Sequence, residues 1–439
     1  MLPEPLETKV EIDAFYQIDI NRVRGVDRIG HLRLGLMDSH ANQLPFKAFL
    51  LGHPGVGKTT ELSRLLIDLK DRFRPLRLSV TAELNPGTLR FYDVLLLILI
   101  KLTYEVSKPE VIGFEDTDLE RMLGWVREHL ATKWTKRLRV DQKELGGGVS
   151  IPFLKLFGNI KLGETRERGE QEYELSFVSD LVELTNRVLT ECNRLLAKHQ
   201  NGRQWVILLE DFEKIGLPAA VVKDLFIGLR PSLQGFDAHF IAIIPVWLKY
   251  SEDAGVVLPA NFQTFVIPDI AVCDRDHRKN KEAITALREV VTARAHENLF
   301  DGQVLERLCV ASGGNLRDLF ALIRNAMVTA RLRESKTIGL SDADLAVAGL
   351  RNDYKMLLGS TGQDANEISL ADKLDRLTGI YKREDPAVEV PNRVLYQLLQ
   401  QRCVLQYNGA SWMGVHPLVL DLLIEFGKLP EGSPGGSAV

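Results

Sequence analysis

Eight residues, Gly52-His53-Pro54-Gly55-Val56-Gly57-Lys58-Thr59, constrain this chain more than any others. They match G-x-x-x-x-G-K-[ST] at every defined position, a pattern that carries meaning only where a strand precedes it and a helix follows. Both are expected here. The apolar run at residues 46–51 has the length of a strand buried on both faces. Over residues 59–71, Leu62, Leu65, Leu66 and Leu69 recur at helical spacing. A strand passing through a glycine-rich loop into a helix aims backbone N–H groups and the positive helix end at one point, and so makes an anion site. Glycine reaches the required backbone conformations cheaply. Lys58 supplies a point charge for β- and γ-phosphates, and Thr59 supplies a hydroxyl for Mg²⁺. Residues Gly52 through Thr60 are therefore read as the cradle of ATP bound with Mg²⁺.

Such a site needs carboxylates at the end of a second buried strand. Trp205-Val206-Ile207-Leu208-Leu209-Glu210-Asp211 provides them. By position Glu210 lies on the magnesium side and Asp211 is the candidate base that polarises the attacking water.

The chain around these motifs reads as a P-loop core over residues 46–270, with further strands at 76–80 and 240–246 and helices at 88–106 and 176–199. Residues 1–45 form an N-terminal segment with a helical stretch near 27–37. Asn85-Pro86-Gly87 is a turn signal, and 108–172 reads as an insertion with a basic piece (133–139) and a hairpin turned at Phe157-Gly158-Asn159. Helices at 280–295, 302–311, 316–331 and 341–350 suggest an all-α lid over 271–350. Residues 351–430 follow with two helices, a hairpin turned at Asn408-Gly409 and a closing helix from His416. Residues 431–439, rich in Gly, Pro and Ser, have the composition of a disordered tail.

Bulk properties exclude several classes. With 439 residues, 45% hydrophobic and 26% charged, the chain is an ordinary globular one of two or three domains. A net charge of −4 gives no global field for nucleic acid or anionic lipid. Cys192, Cys273, Cys309 and Cys403 are too scattered for a zinc or disulfide framework, so reduced thiols in a cytoplasmic protein are expected. The most apolar stretch, residues 94–102, is too short to span a bilayer.

The order of parts resembles AAA+ ATPases of the origin-recognition type and the related STAND signalling ATPases, over roughly residues 20–430. Beyond the two motifs, Arg24-Gly25 is similar to the N-terminal segment that lies against adenine in that group. Glu210-Asp211-Phe212-Glu213-Lys214-Ile215 resembles its Walker B signature with the two acids exchanged. Ser312-Gly313-Gly314-Asn315-Leu316-Arg317-Asp318 resembles its lid motif, which implies that Arg317 is a sensor-2 residue reaching the γ-phosphate. Two departures stand out. Ile244-Pro245-Val246-Trp247-Leu248-Lys249 offers no polar sensor-1 residue, and Arg230 as an arginine finger acting in trans is no better founded than an ordinary surface arginine. Residues 391–426 resemble a winged helix with few basic residues, Arg393, Arg402 and Lys428.

The expectation is thus an α/β protein: a three-layer αβα P-loop core, a helical lid and a C-terminal winged-helix domain. Its implied function is a magnesium-dependent ATPase, fast or slow in turnover, acting as a nucleotide-controlled switch. The alternative is an AAA+ protein that engages DNA through the winged helix, with a small-molecule kinase as a remote third. Homo-oligomerisation, or a protein partner docking on the insertion or the winged helix, fits either of the first two; a membrane partner fits neither.

Overall fold

The computed structural model describes residues 4–17, 19–25, 27–83, 91–106, 170–199, 203–212, 219–258, 262–359, 368–383, 385–407 and 412–433. The 85–87 turn, the insertion with its hairpin and basic piece, the acidic loop from Glu213, the tip at Asn408-Gly409 and the end of the tail lie outside them.

Helices α1 (Lys9–Phe15), α2 (Asp19–Val23) and α3 (Arg28–Ala41) precede the first strand, β1 (Lys47–Gly52), which leads into α4 (Lys58–Asp68). Next come β2 (Phe73–Ser79), α5 (Phe91–Val106), α6 (Glu170–His199), β3 (Gln204–Glu210), α7 (Ala219–Gly235), β4 (His239–Pro245) and β5 (Gln263–Val266). The strands form one parallel sheet in the order β2-β3-β4-β1-β5. β4 is thus an additional strand between the glycine-loop strand and the acidic strand.

Alternation along each strand sends neighbouring side chains to opposite faces. Ala48, Leu50, Val206, Leu208, Ile241 and Ile243 join α3 and α4 on one side. Phe49, Leu51, Ile207, Leu209, Phe240 and Ala242 face α5, α6 and α7 on the other. This is a three-layer αβα sandwich. The fifth strand went unread in the sequence because only Phe265 of Gln263–Val266 is buried, so an edge strand of four residues leaves no periodic signal.

His239, at the start of β4, has a defined tautomer. Its Nδ1 accepts from the Phe46 backbone N–H at 3.1 Å, so Nε2 carries the proton donated to Gln204 Oε1. Burial, with the neighbouring His40 charge adding to it, pushes its pKa down to about 4. A depressed histidine pKa means that the unfolded chain takes the proton first, so stability falls as pH drops from about 6.5 to about 4. The loss over that window is on the order of 3 kcal/mol. Urea midpoints of wild type and His239→Asn, which keeps an acceptor for Phe46, will diverge between pH 7 and pH 4.5; parallel curves would exclude His239 as the cause.

The chain continues through α8 (Lys281–Thr292), α9 (Val304–Ala311), α10 (Leu316–Leu332) and α11 (Leu340–Gly359). The last of these runs past residue 350, where a boundary was expected, and packs on both α10 and the C-terminal helix. The C-terminal unit comprises α12 (Leu370–Lys382), α13 (Arg393–Gln400), the antiparallel pair β6 (Val404–Tyr407) and β7 (Trp412–Val415), and α14 (Pro417–Glu425). His416 caps α14, its Nδ1 accepting from Leu418 N at 3.2 Å. Its apolar side is continuous with the lid and one sheet face. No helix of the described residues is long and apolar enough to cross a membrane.

Candidate functional site

β1 ends at Gly52 and α4 begins at Lys58, so the loop between them lies at the carboxyl edge of the sheet, where open α/β sheets bind ligands. Gly57 caps the helix in the left-handed conformation, φ +92°. At Gly55, φ is +95°, and an added Cβ would lie 2.4 Å from Asn315 Oδ1 and 2.5 Å from the Arg317 Cβ. No other residue fits there, because the lid presses on the loop. Lys58, 3% exposed, directs Nζ to the carbonyls of Gly52 (3.0 Å) and His53 (2.9 Å).

Each remaining loop residue has a defined partner. His53 Nδ1 lies 2.7 Å from Asp269 Oδ2, both side chains being 1% exposed. Asn315 Nδ2 donates to Pro54 O at 3.0 Å and to Asp269 Oδ1 at 3.1 Å, while its Oδ1 caps α10 at Arg317 N and Asp318 N. Arg24 donates to Val56 O. Thr59 O accepts from Ser63 Oγ at 2.8 Å, and Thr60 Oγ1 accepts from Leu6 N at 3.0 Å.

Glu210 and Asp211 stand at the end of β3, with Ser79 paired to Glu210 in register. Glu210 is buried and its Oε2 lies 3.5 Å from Arg77 Nη1. Asp211 adopts φ +71°, a left-handed conformation that Asp and Asn tolerate better than most residues. Its Oδ2 accepts from Ser79 Oγ at 2.6 Å. Thr59 and Glu210 offer a hydroxyl and a carboxylate, hard oxygen donors of the kind Mg²⁺ takes alongside phosphate and water.

The N-terminal segment and the lid wall the same cavity. Phe15, Ile20, Val290 and Phe320 give it apolar and aromatic sides beside the loop. Arg24 is buried there; burial lowers its pKa, with Glu61 opposing. Glu61 also accepts from Tyr16 Oη at 3.0 Å and Asn21 Nδ2 at 3.2 Å, which anchors the segment to the first turn of α4. Arg294 lies 5.2 Å from the Phe15 ring centroid and 5.4 Å from that of Phe320, bridging segment and lid. Tyr16, Asn21, Asp269 and Arg294 escaped the sequence reading; only the helix-start character of Asn315 was visible, within the lid motif.

The residues that follow β4 pack toward the C-terminal unit. After β4 the chain makes a 3-10 turn, Val246–Tyr250, and Trp247 packs edge-on against Tyr396 of α13 at 5.1 Å. Arg230 donates to Val256 O of its own chain at 2.8 Å. No cluster of three His, Cys, Asp or Glu side chains among the described residues is placed to hold a metal.

The glycine-loop strand, an additional strand and then an acidic strand lie side by side in one parallel sheet covered by helices on both faces. This is a P-loop αβα fold. No family's sequence pattern matches the chain, and no curated protein does. Among solved structures, the ORC2 protein of Aeropyrum pernix in ADPNP–ADP complexes is 11% identical, covering 94% of this chain and 96% of its own, with a TM-score of 0.40. Drosophila ORC bound to DNA is 10% identical over 98% and 83%, TM-score 0.37. The Thermotoga maritima RuvB Holliday junction branch migration motor is 12% identical over 95% and 97%, TM-score 0.36. The fold itself rests on the parallel strand order β2-β3-β4-β1-β5 and the helices on both faces. In this chain the helical region after the sheet reaches the loop through Asn315 and the C-terminal unit through Asp318 and Gly313. Arg402 Nη1 lies 2.8 Å from Asp318 Oδ1, Tyr354 Oη donates to Asp318 Oδ2 at 2.7 Å, and Tyr407 Oη donates to Gly313 O at 3.1 Å.

Proposed function

We propose that the chain binds ATP with Mg²⁺ in this cavity, hydrolyses it slowly, and acts as a nucleotide-controlled switch whose moving part is the C-terminal unit. One observation carries the reading: Asn315 caps the start of one helix and Asp318 stands three residues on, in its first turn, one bonded to the phosphate loop and the other to the C-terminal unit. A rearrangement of the loop on nucleotide binding is therefore felt, through the first turn of α10, at the C-terminal domain.

Lys58 and the first-turn amides of α4 would hold the β- and γ-phosphates; Thr59 and Glu210 would hold Mg²⁺, which neutralises charge on the transferring phosphoryl group. Arg317 begins α10 against Gly55 and is the candidate sensor on the lid side. Asp211 would orient and polarise the attacking water. A winged-helix reading of residues 391–426 agrees with the helix, hairpin, helix order. Its two basic residues and the following Lys428 each face an acid, Arg393 with Glu252, Arg402 with Asp318 and Lys428 with Asp375, which favours a packing role over phosphate contacts with DNA.

Asp211→Asn tests the chemistry. Asparagine suits the left-handed backbone, so the fold should hold while the basic carboxylate is lost. The variant should keep its nucleotide affinity and lose phosphate release by roughly a hundredfold or more. Wild-type turnover in the variant would remove Asp211 from the reaction.

A further inference from the structure

Arg77, on the edge strand β2, is absent from every motif, yet its guanidinium meets Glu210 directly and the backbone of Thr59 by way of Ser63. Nη1 lies 3.5 Å from Glu210 Oε2, and Nη2 donates to Ser63 Oγ. Ser63 in turn donates to Thr59 O at 2.8 Å, one helical turn above itself. The same nitrogen that faces Glu210 also faces Glu7 Oε1 at 3.7 Å, in the irregular N-terminal stretch that bonds Thr60 through Leu6 N.

We infer that Arg77 is a positioning residue for the magnesium site, setting the separation of Glu210 and Thr59; this rests on the proposed Mg²⁺–ATP reading. The planar fork of arginine suits the task, because its separate N–H groups address a carboxylate and a hydroxyl in fixed directions, which a lysine ammonium cannot do. Two physical effects oppose one another here. As a cation close to Glu210, Arg77 repels Mg²⁺, so a purely electrostatic role means that its removal tightens metal binding. As a fork holding the carboxylate in place, its removal loosens metal binding, and residues that orient a metal ligand change metal affinity by about 10–100-fold. The bonded path through Ser63 to the Thr59 carbonyl, which fixes the backbone bearing the second donor, makes orientation the stronger effect.

The test is binding, not turnover. Affinity for a fluorescent ATP analogue is measured in full-length protein as Mg²⁺ is titrated, with an EDTA series for metal-free binding. For Arg77→Gln the Mg²⁺ concentration at half-effect should rise about tenfold or more, while affinity in EDTA stays within about twofold. Arg77→Lys should recover only part of the difference. Glu7→Gln, which removes only the N-terminal stretch's pairing with Arg77, should match wild type. A fall or no change in the Mg²⁺ midpoint of Arg77→Gln, full recovery by Arg77→Lys, or an equal rise in Glu7→Gln would each overturn the inference. Absence of nucleotide binding in the wild type, with and without Mg²⁺, would instead remove the proposed function itself.

Discussion

Lys58→Ala will bind ATP at least about a hundredfold more weakly than wild type, the largest functional effect expected from one substitution in this chain. The ammonium is buried at the first residue of α4 and held by two loop carbonyls, so it is in place before any phosphate arrives. Charge-assisted hydrogen bonds contribute about 1.5–3 kcal/mol each, and 2.8 kcal/mol corresponds to roughly a hundredfold in Kd. Because Lys58 also steadies the carbonyls of Gly52 and His53, part of the loss will come from a looser loop. Lys58→Arg separates the two contributions: it keeps the charge but not the geometry. Calorimetry with Mg²⁺–ATP measures both variants, and a Kd for Lys58→Ala within threefold of wild type would end the phosphate-loop interpretation.

Asp318→Ala will bring the largest loss of stability. The carboxylate is 3% exposed and receives Arg402 and Tyr354, with His416 Nε2 at 3.5 Å. Truncation leaves the Arg402 guanidinium without its acid, and breaking a buried pair from one side costs about 3–5 kcal/mol. Burial alone would raise the Asp318 pKa; Arg402, then His416 and Tyr354, outweigh it and hold the carboxyl well below its usual range. The sign follows. A depressed carboxylate pKa stabilises the fold above about pH 4, and that stability disappears as pH falls through the folded-state value. Urea unfolding combined with hydrogen exchange in β6, β7 and α14 will locate the loss. Exchange should rise first in the C-terminal unit, because the carboxylate ties that unit to the lid. Asp318→Leu with Arg402→Met should restore most of the stability, since an apolar pair of similar volume often replaces a buried ion pair without loss. Unchanged exchange in the C-terminal unit of Asp318→Ala would mean that the contact does not hold the domain.

These two residues differ in how far the sequence reveals them. Lys58 stands inside eight contiguous residues, and the anion site follows from local rules: a buried run, glycines where the backbone turns, a helix start. The same holds for the strand ending in Glu210 and Asp211, for the apolar alternation that makes a double-faced sheet, and for the helix, hairpin, helix order near the end. Asp318 was visible only as the last residue of a lid motif, and its partner Arg402 lies 84 residues away. His53 finds Asp269 across 216 residues, and Asp211 finds Ser79 across 132. Periodicity and capping report what happens within a turn or two of chain, whereas these contacts exist only after the sheet is ordered and the lid closed on it. Trp247 is an ordinary apolar residue by sequence, and only packing shows that the end of β4 serves the C-terminal unit. Local backbone chemistry therefore determined where a triphosphate would be cradled. Long-range packing alone decided which charges surround it, because a side chain's electrostatic neighbours are set by distance in space and not along the chain.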